Sequence, residues 1–325
     1  MKKIIFILFV FFAVSSLFAA KEIIFEPKAR ATVEEFAIMP YGYDFNLDLD
    51  NYLQDVYECG FNVSSFIEPN RVPLAKKHNL KAMVYGGNVM DNSIEDLNAR
   101  AKDWTSKLNS IIGEENKKDV FQIVVKDEPF LKDMEYITVM SNAVINDMDC
   151  MPYINLNPNY APATLIGPSY EDYATNIIKD CKLDYLSYDN YSIFATQGLD
   201  EDRFYNNLEE VRKICDKTNS KLVNIINSVA HFNYAEPNDY TINVQGWSTL
   251  AYGGKGLTYF TFYTPHRGNY RAGAYDVYGQ RTPLWQVIKR MNYNIHHIMP
   301  YYKDLEFLNA FHVGNVPKGA KGIES

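Results

Sequence analysis

Short apolar runs alternate with helical patterns along most of the chain. Eight of the runs are rich in β-branched and aromatic residues and end in polar or turn residues, which is typical of buried parallel strands. Between them, apolar side chains recur at positions i, i+3, i+4 and i+7, which predicts amphipathic helices. The predicted strands are 36–40, 61–67, 80–85, 120–129, 151–158, 184–191, 221–231 and 256–265.

Capping residues indicate where some of these helices begin. Ser93 and Asp96 stand three positions apart before an apolar pattern, so the sequence predicts a helix over 93–112. Ser169 and Asp172 repeat that spacing and predict a second helix that begins at Ser169. Each of these helices lies between two predicted strands, as a crossover connection requires.

Eight strands that alternate with eight helices over residues 33–300 predict the α/β class and a (β/α)8 TIM barrel. A doubly wound open sheet is the alternative. No glycine-rich phosphate loop follows the first strand, which argues against nucleotide binding. Residues 301–325 form a separate segment, for which we predict a short C-terminal β tail. This strand either packs on the outside of the barrel or is the remnant of a second β domain, because a lone strand is not stable.

Residues 1–20 have the pattern of a secretory signal peptide. Lys2 and Lys3 precede the apolar stretch Ile4–Val14, and small residues lead to Ala20. The sequence therefore predicts a secreted or periplasmic protein with no membrane segment after cleavage. An uncleaved N-terminal anchor is the alternative.

Charge and cysteine spacing narrow the choice of partners. The net charge is −8 and the chain has no long basic run, which argues against binding nucleic acid or anionic membranes. Cys59, Cys150, Cys181 and Cys215 form no CxxC or Cys/His ligand spacing, so we predict no metal and no cofactor. We interpret the four as small buried hydrophobic residues, with one or two disulfides left open. The oligomeric state is not indicated.

Two acids stand where a barrel carries its chemistry, at the C-terminal ends of the strands. Glu128 follows the apolar run of the fourth strand and precedes Pro129, and partial burial there would raise its pKa and suit it to act as a general acid. Asp189 ends the sixth strand, and we expect it to face Glu128 across the mouth. A separation of about 5 Å would suit a retaining glycosidase and about 6.5–9.5 Å an inverting one. The alternative role for Asp189 is to orient a substrate or support the structure.

Amides and aromatic rings accompany these acids at the predicted strand ends. The chain has 25 Tyr and 19 Phe, and a Tyr ring offers an apolar face and a polar tip, which suits a sugar-binding cleft. The predicted substrate-binding residues are Tyr41, Tyr85, Asn88, Asn155, Asn157, Tyr191, His231 and Tyr263. His266, Arg267 and Arg271 follow the eighth strand and suit an anionic sugar substituent, although a solvated loop is the simpler interpretation.

Two segments resemble a known group of enzymes. The run Asp127–Pro129 resembles the acid/base motif of clan A glycoside hydrolases, and Gln245–Pro265 resembles the corresponding region of barrels similar to glycoside hydrolase family 42. Asp189 with Tyr191, after the sixth strand, is also similar to that group. The resemblance covers about residues 33–300 and implies a sugar hydrolase with Glu128 as its acid/base. It also implies that Asp127 binds substrate, at a position where the clan usually has Asn.

The chain departs from that group at the seventh strand. The clan's nucleophile is a Glu at the end of this strand, whereas residues 227–231 contain no acid and Glu236 lies in the loop beyond. Either Asp189 or Glu236 replaces the missing carboxylate, or hydrolysis has been lost. The leading hypothesis is a secreted glycoside hydrolase that cleaves O-glycosidic bonds of a polysaccharide or oligosaccharide. The alternative is a non-catalytic carbohydrate-binding barrel, and a weaker one is a barrel lyase or deacetylase.

Overall fold

Eight parallel strands form the main sheet in the computed structural model, which describes residues 24–43 and 47–323. The predicted leader, residues 1–20, lies outside the described residues. All eight predicted strands are confirmed, and each is shorter than expected. Numbered β1 to β8, they are Ala37–Pro40, Val63–Ile67, Lys81–Tyr85, Val120–Asp127, Pro152–Leu156, Tyr185–Asp189, Lys221–Asn227 and Gly256–Phe260.

The sheet closes into a barrel. From β2 to β8 each strand pairs with the next one along the chain, and β8 pairs in parallel with β1, where Gly256 lies opposite Ala37. Between β1 and β2, the Asn62 N–H donates to the Ile38 carbonyl at 3.1 Å and the Asn62 side chain accepts the Ile38 N–H at 2.8 Å. This closure confirms the (β/α)8 barrel and excludes the doubly wound sheet, which would have two free edges.

Helices alternate with the strands and pack their apolar sides against the sheet. None of the described helices combines the length and apolar character needed to cross a membrane. Numbered α1 to α8, they are Leu49–Glu58, Val72–Lys77, Leu97–Ile112, Met134–Met148, Tyr170–Asp180, Glu201–Thr218, Asp239–Ala251 and Pro283–Tyr302. A single-turn helix, Ala163–Ile166, precedes α5, and a small hairpin of Ile193–Phe194 with Gly198–Leu199 precedes α6.

One helix begins later than its sequence predicts. The helix expected over 93–112 starts at Leu97, and Ser93 lies in the preceding turn. Asp96 is the N-cap residue, because its carboxylate accepts the N–H of Ala99 at 2.7 Å. Asp and Ser cap helices about equally well, so the spacing alone did not distinguish the two starts.

Side chains that point into the barrel change from apolar to polar along the strands. On β6, Tyr185, Ser187 and Asp189 share one face because side chains alternate with a period of two. Tyr185 packs in the apolar lower interior, whereas Asp189 stands at the C-terminal mouth. The apolar interior includes Ala37, Met39, Val63, Met83, Phe121, Tyr153, Tyr185 and Val223. This layering leaves the polar groups of the interior at the end of the barrel where chemistry is expected.

The segment after α8 packs on the outside of the barrel. Tyr252 anchors it, since the hydroxyl of Tyr252 bonds His312 Nε2 at 3.0 Å and its ring lies 6.3 Å from that of Phe307. Within the described residues the expected strand is reduced to a single bridge between His312 and Gly322. Helix α8 also runs further than expected, to Tyr302.

The four cysteines are free thiols. Cys59, Cys181 and Cys215 are buried in the apolar core, and Cys150 is half-buried against it. They therefore pack as small apolar side chains, and the structure contains none of the disulfides that the sequence left open.

Candidate active site

The backbone turns sharply where β4 ends. Glu128 has a left-handed backbone conformation with φ of +44°, and its N–H donates to the Asn155 carbonyl at 2.8 Å. Pro129 follows and has no N–H to continue the ladder, so β4 stops here. The Glu128 side chain is exposed, and the partial burial expected from the sequence is not found. The turn directs this side chain toward β6.

Asp189 occupies the opposite environment. It is the last residue of β6, and only 7% of its surface is exposed. Its Oδ1 atom accepts two hydrogen bonds, from Asn155 Nδ2 at 3.2 Å and from the Tyr191 hydroxyl at 3.1 Å. One carboxyl oxygen is therefore fully engaged, and the other remains for a further partner.

That partner is Glu128, whose carboxyl group lies within hydrogen-bond distance of Asp189. Burial raises the pKa of Asp189 well above its usual value of 3.8, and the hydrogen bond and negative charge of Glu128 raise it further. Two carboxyl groups can share a hydrogen bond only if one carries a proton, and the buried Asp189 holds it. A hydrogen bond brings the two groups nearer than the separation of about 6.5–9.5 Å that an inverting pair would have.

A third carboxylate borders the pair. Asn155 Nδ2 donates to Asp127 Oδ1 at 3.0 Å as well as to Asp189, and Ser187 Oγ donates to Asn155 Oδ1 at 3.3 Å. The Asn155 amide is thus buried and its orientation fixed, so its polar atoms serve the acids rather than a sugar. Asp127 is exposed beside it. Among the described residues, no group of three His, Cys, Asp or Glu side chains is arranged to hold a metal ion.

A cavity of about 330 Å³ opens above these acids. One side carries the carboxyl groups, and the other is formed by stacked rings from the ends of β6, β7 and β8. Cavities of this size and mixed character hold small molecules in proteins. The lining residues are Tyr41, Asp127, Glu128, Asn155, Asp189, Tyr191, His231, Phe232, Tyr234, Phe260, Arg267 and Tyr270.

His231 belongs to the aromatic side. Its Nδ1 atom lies 3.1 Å from the Val229 carbonyl, which can only accept, so Nδ1 carries the hydrogen and Nε2 is a free acceptor. The ring stacks on Tyr270 at 5.1 Å, with 7° between the planes. Burial lowers the pKa of His231, which favours the neutral ring at physiological pH.

Not all of the residues predicted to bind substrate reach this cavity. Asn157 is buried, and its Nδ2 atom donates to the Pro129 carbonyl at 3.0 Å and to the Tyr173 hydroxyl at 3.1 Å. These bonds hold the loop that follows Glu128, so Asn157 supports the site from behind. The predicted residues outside the cavity lining are Tyr85, Asn88, Asn157 and Tyr263.

Glu236, the other acid that could replace the missing carboxylate, lies outside the cavity lining as well. Glu236 is exposed and accepts a hydrogen bond from Arg271 Nε at 2.8 Å. Strand β7 ends at Asn227, whose backbone N–H and carbonyl are both bonded by the Gln245 side chain, at 3.0 and 3.2 Å. The structure therefore brings Asp189, and not Glu236, to Glu128.

Several aromatic residues of the cavity are not among those predicted to bind substrate. Phe232, Tyr234 and Tyr270 lie in the loops after β7 and β8, and Phe260 ends β8. The two loops are joined, because Ala230 and Arg271 exchange backbone hydrogen bonds of 2.9 and 3.0 Å. The sequence feature that could have indicated them is the high frequency of aromatic residues after the seventh and eighth strands.

Solved structures of similar fold include several proteins named for action on sugars. A candidate α-L-fucosidase from Bacteroides thetaiotaomicron has a TM-score of 0.59 and 11% identity, over 84% of this chain and 98% of that one. The catalytic domain of a β-amylase from Paenibacillus polymyxa has a TM-score of 0.55 and 10% identity, over 82% and 100%. An endo-β-1,4-glucanase from Xanthomonas axonopodis pv. citri has a TM-score of 0.55 and 9% identity, over 79% and 93%.

At these identities the likeness establishes the (β/α)8 fold alone. No protein-family model matches the chain, and the comparison with curated proteins finds no match. The protein is therefore a barrel of the fold that these glycosidases share, with a carboxyl pair at the end where barrel enzymes carry their active sites.

Proposed function

We propose that this protein is a glycoside hydrolase that cleaves O-glycosidic bonds of a polysaccharide or oligosaccharide. The observation that carries the proposal is the contact between the exposed Glu128 carboxyl and the buried Asp189 carboxyl at the mouth of the barrel. A pair of carboxyl groups in different environments is what acid/base cleavage of a glycosidic bond requires. The resemblance of 245–265 to barrels similar to glycoside hydrolase family 42 supports the same class.

The two acids have different roles in this proposal. Asp189 stores the proton, because it is buried and its Oδ1 is already bonded by Asn155 and Tyr191. Glu128 faces the cavity and delivers that proton to the leaving glycosidic oxygen as the bond to the anomeric carbon breaks. A water molecule adds to the anomeric carbon, and its proton returns to the carboxylates of the cavity. The proton balance of the pair is thereby restored after each turnover.

The aromatic side of the cavity would hold the sugar. Apolar faces of pyranose rings stack on flat side chains, and Phe260 and Tyr270 present such faces at the cavity. Tyr191 adds a third ring beside them, with its hydroxyl on Asp189. Asp127 is the exposed acceptor placed to receive a sugar hydroxyl beside Glu128. The names of the fucosidase, amylase and glucanase that share the fold agree with a carbohydrate substrate.

A non-catalytic carbohydrate-binding barrel is the second candidate function. It is favoured by the end of β7, where the chain has Asn227 instead of an acid, and by the pairing of Glu236 with Arg271 in the loop beyond. This candidate predicts saturable sugar binding without any bond cleavage.

Release of reducing ends from a panel of polysaccharides separates the two candidates. Purified protein would be incubated with β-glucans, mannan, starch, and pectic and sulfated polysaccharides, and compared with Glu128→Gln. Glu236→Gln is the matched control, since it makes the same change outside the cavity lining. We expect release that Glu128→Gln abolishes and Glu236→Gln retains. Equal release by the protein and by Glu128→Gln would contradict the hydrolase proposal.

We also propose that the protein is exported. Residues 1–20 carry the signal-peptide pattern, and an exported glycosidase would meet polysaccharides outside the cell. Mass spectrometry of the protein recovered from cells would give its N-terminus. A mature chain that begins near residue 21 supports export, and a cell-associated chain that retains residues 1–20 contradicts it.

A further inference from the structure

One cation lines the otherwise acidic cavity. Arg267 lies in the loop after β8, its side chain is exposed, and it makes no ion pair with any described residue. The proposed hydrolysis does not use it. An arginine that lines a ligand cavity without a carboxylate partner has its five N–H donors available for a ligand.

The neighbouring arginine provides a contrast. Arg271 is in the same loop and is half-buried, but it is bonded to Glu236 at 2.8 Å and does not line the cavity. Its charge is thus compensated within the protein. The loop between β8 and α8 carries a third guanidinium group, that of Arg281, which is paired with Asp55 and Glu58. Among the three, only that of Arg267 is both uncompensated and at the cavity.

The loop that carries Arg267 is held in place. The Arg267 N–H donates to the Pro265 carbonyl at 2.8 Å, and the guanidinium lies 5.6 Å from the centre of the Tyr270 ring. Tyr270 in turn stacks on His231, and Asn269 bonds both the N–H and the carbonyl of Phe232 at 2.8 Å. The guanidinium therefore rests on an ordered aromatic support rather than on a free loop.

Arg267 follows the strand that stands opposite the strand of Asp127 and Glu128. In a closed barrel of eight strands, β8 and β4 are four strands apart and stand on opposite sides of the mouth. Glu128 follows β4 and Arg267 follows β8. A ligand in the cavity thus meets negative charge on one side and positive charge on the other, which would orient a ligand that has one charged end.

We infer that Arg267 recognises an anionic group on the sugar substrate, a uronic acid carboxylate or a sulfate ester. Guanidinium groups bind both anions through paired, charge-assisted hydrogen bonds. The acids on the β4 side would repel this group and keep it toward Arg267, so that a neutral part of the sugar meets Glu128. The inference rests on the proposed function only in assuming that the cavity binds a sugar.

Equilibrium binding of matched small sugars tests this inference without any hydrolysis. The probes are methyl glucoside and methyl galactoside, the corresponding methyl uronides, and the corresponding 6-sulfates, titrated by ligand-observed NMR. The proteins are the native chain, Arg267→Gln, and Arg271→Gln, which removes the same charge from the paired arginine. We expect the native protein to bind one anionic series about tenfold more tightly than the neutral series, as a hydrogen-bonded ion pair allows.

The variants show which residue confers the preference, and the two anionic sugar series show which anion that residue binds. Arg267→Gln should abolish the preference while it still binds the neutral sugars, whereas Arg271→Gln should keep the preference. A preference confined to the uronides assigns a carboxylate, and one confined to the sulfates assigns a sulfate. The inference is overturned if the native protein has no preference, if it binds no probe, or if Arg267→Gln keeps the preference. Anion-selective binding by a protein that releases no reducing ends would overturn the proposed hydrolysis and leave this inference standing.

Discussion

The exposed carboxyl of Glu128 and the buried carboxyl of Asp189 share a hydrogen bond across the mouth of the barrel. They come from β4 and β6, and Asn155 on the intervening β5 bonds Asp189 at 3.2 Å and accepts the N–H of Glu128 on its carbonyl at 2.8 Å. A single residue of β5 thereby fixes both partners. The pair combines a proton store with a carboxyl that a substrate can reach, and the proposed hydrolysis depends on this combination.

Backbone strain at Glu128 gives a stability prediction. Its φ of +44° is unfavourable for any residue with a Cβ atom and tolerated by glycine. We expect Glu128→Gly to be about 1 kcal/mol more stable than Glu128→Ala, since the two differ only in that atom. Urea unfolding of both variants would measure the difference.

The same pair of substitutions at Lys126 is the control for this prediction. Lys126 lies within β4, where the backbone is extended and alanine should be the more stable of the two by about 0.5–1 kcal/mol. If the alanine variant were the more stable of the two at residue 128 as well, residue 128 would not be in the left-handed conformation.

Asp189 should lower the stability of the protein at neutral pH. Because its pKa is raised in the folded state, the folded protein binds the Asp189 proton more tightly than the unfolded chain does. Its contribution to stability is therefore complete below pH 3.8 and is lost as the pH rises toward its folded pKa. Asp189→Asn mimics the protonated acid, so we expect this variant to be more stable than the native protein, by a margin that grows from pH 4 to pH 7.

Unfolding free energies measured across this pH range would test the prediction, with Asp127→Asn as the control. Asp127 is an exposed carboxylate of the same cavity, so its replacement removes the same charge without a burial cost. A margin for Asp189→Asn that stays constant with pH would show that Asp189 ionises as it does in the unfolded chain.

His296 predicts a loss of stability in mild acid. It is buried, its Nδ1 accepts the Ala31 N–H at 2.9 Å, and its Nε2 lies 2.8 Å from the Gly60 carbonyl. Burial lowers its pKa from 6.5 to about 4, so the unfolded chain takes up this proton first as the pH falls. The stability lost between pH 6.5 and pH 4 amounts to about 3 kcal/mol for this group.

Replacement by glutamine at two positions isolates that contribution. We expect His296→Gln to flatten the fall in unfolding free energy between pH 6.5 and pH 4. His297→Gln should leave the fall unchanged, because His297 is exposed. Parallel curves for the native protein and His296→Gln would contradict a buried, neutral His296.

The barrel could be predicted from the sequence because its strands and helices leave strong local patterns. A buried parallel strand such as β1 is a continuous apolar run, and helix α5 begins at a visible cap, Ser169, which accepts the Asp172 N–H at 3.1 Å. The tail shows what such local patterns leave out. Its apolar residues resemble a strand, but a strand also needs a neighbour, and the bridge between His312 and Gly322 is too short to supply one.

The site was only partly predictable because its geometry depends on contacts between distant segments. Strand ends indicated Glu128 and Asp189, but the left-handed turn that brings them together has no signature in a Glu–Pro sequence. Asn155 and Asn157 stand two positions apart at the end of β5, so the sequence presents them alike. The amide of Asn157 is nevertheless bonded to Pro129 and Tyr173 and does not reach the cavity. Local sequence marks which residues reach the mouth and does not mark which of them face the cavity.

A double-substitution cycle tests the central claim most directly. The value of kcat/KM would be measured for the native protein, Glu128→Gln, Asp189→Asn and the double variant, on a polysaccharide that the native protein cleaves. Groups that act as one unit lose their function together. We expect kcat/KM to fall about 10²–10⁴-fold in each single variant. The double variant should be no less active than the less active of the two single variants. Losses that multiply in the double variant, or native activity in Glu128→Gln, would contradict a catalytic pair that shares one proton.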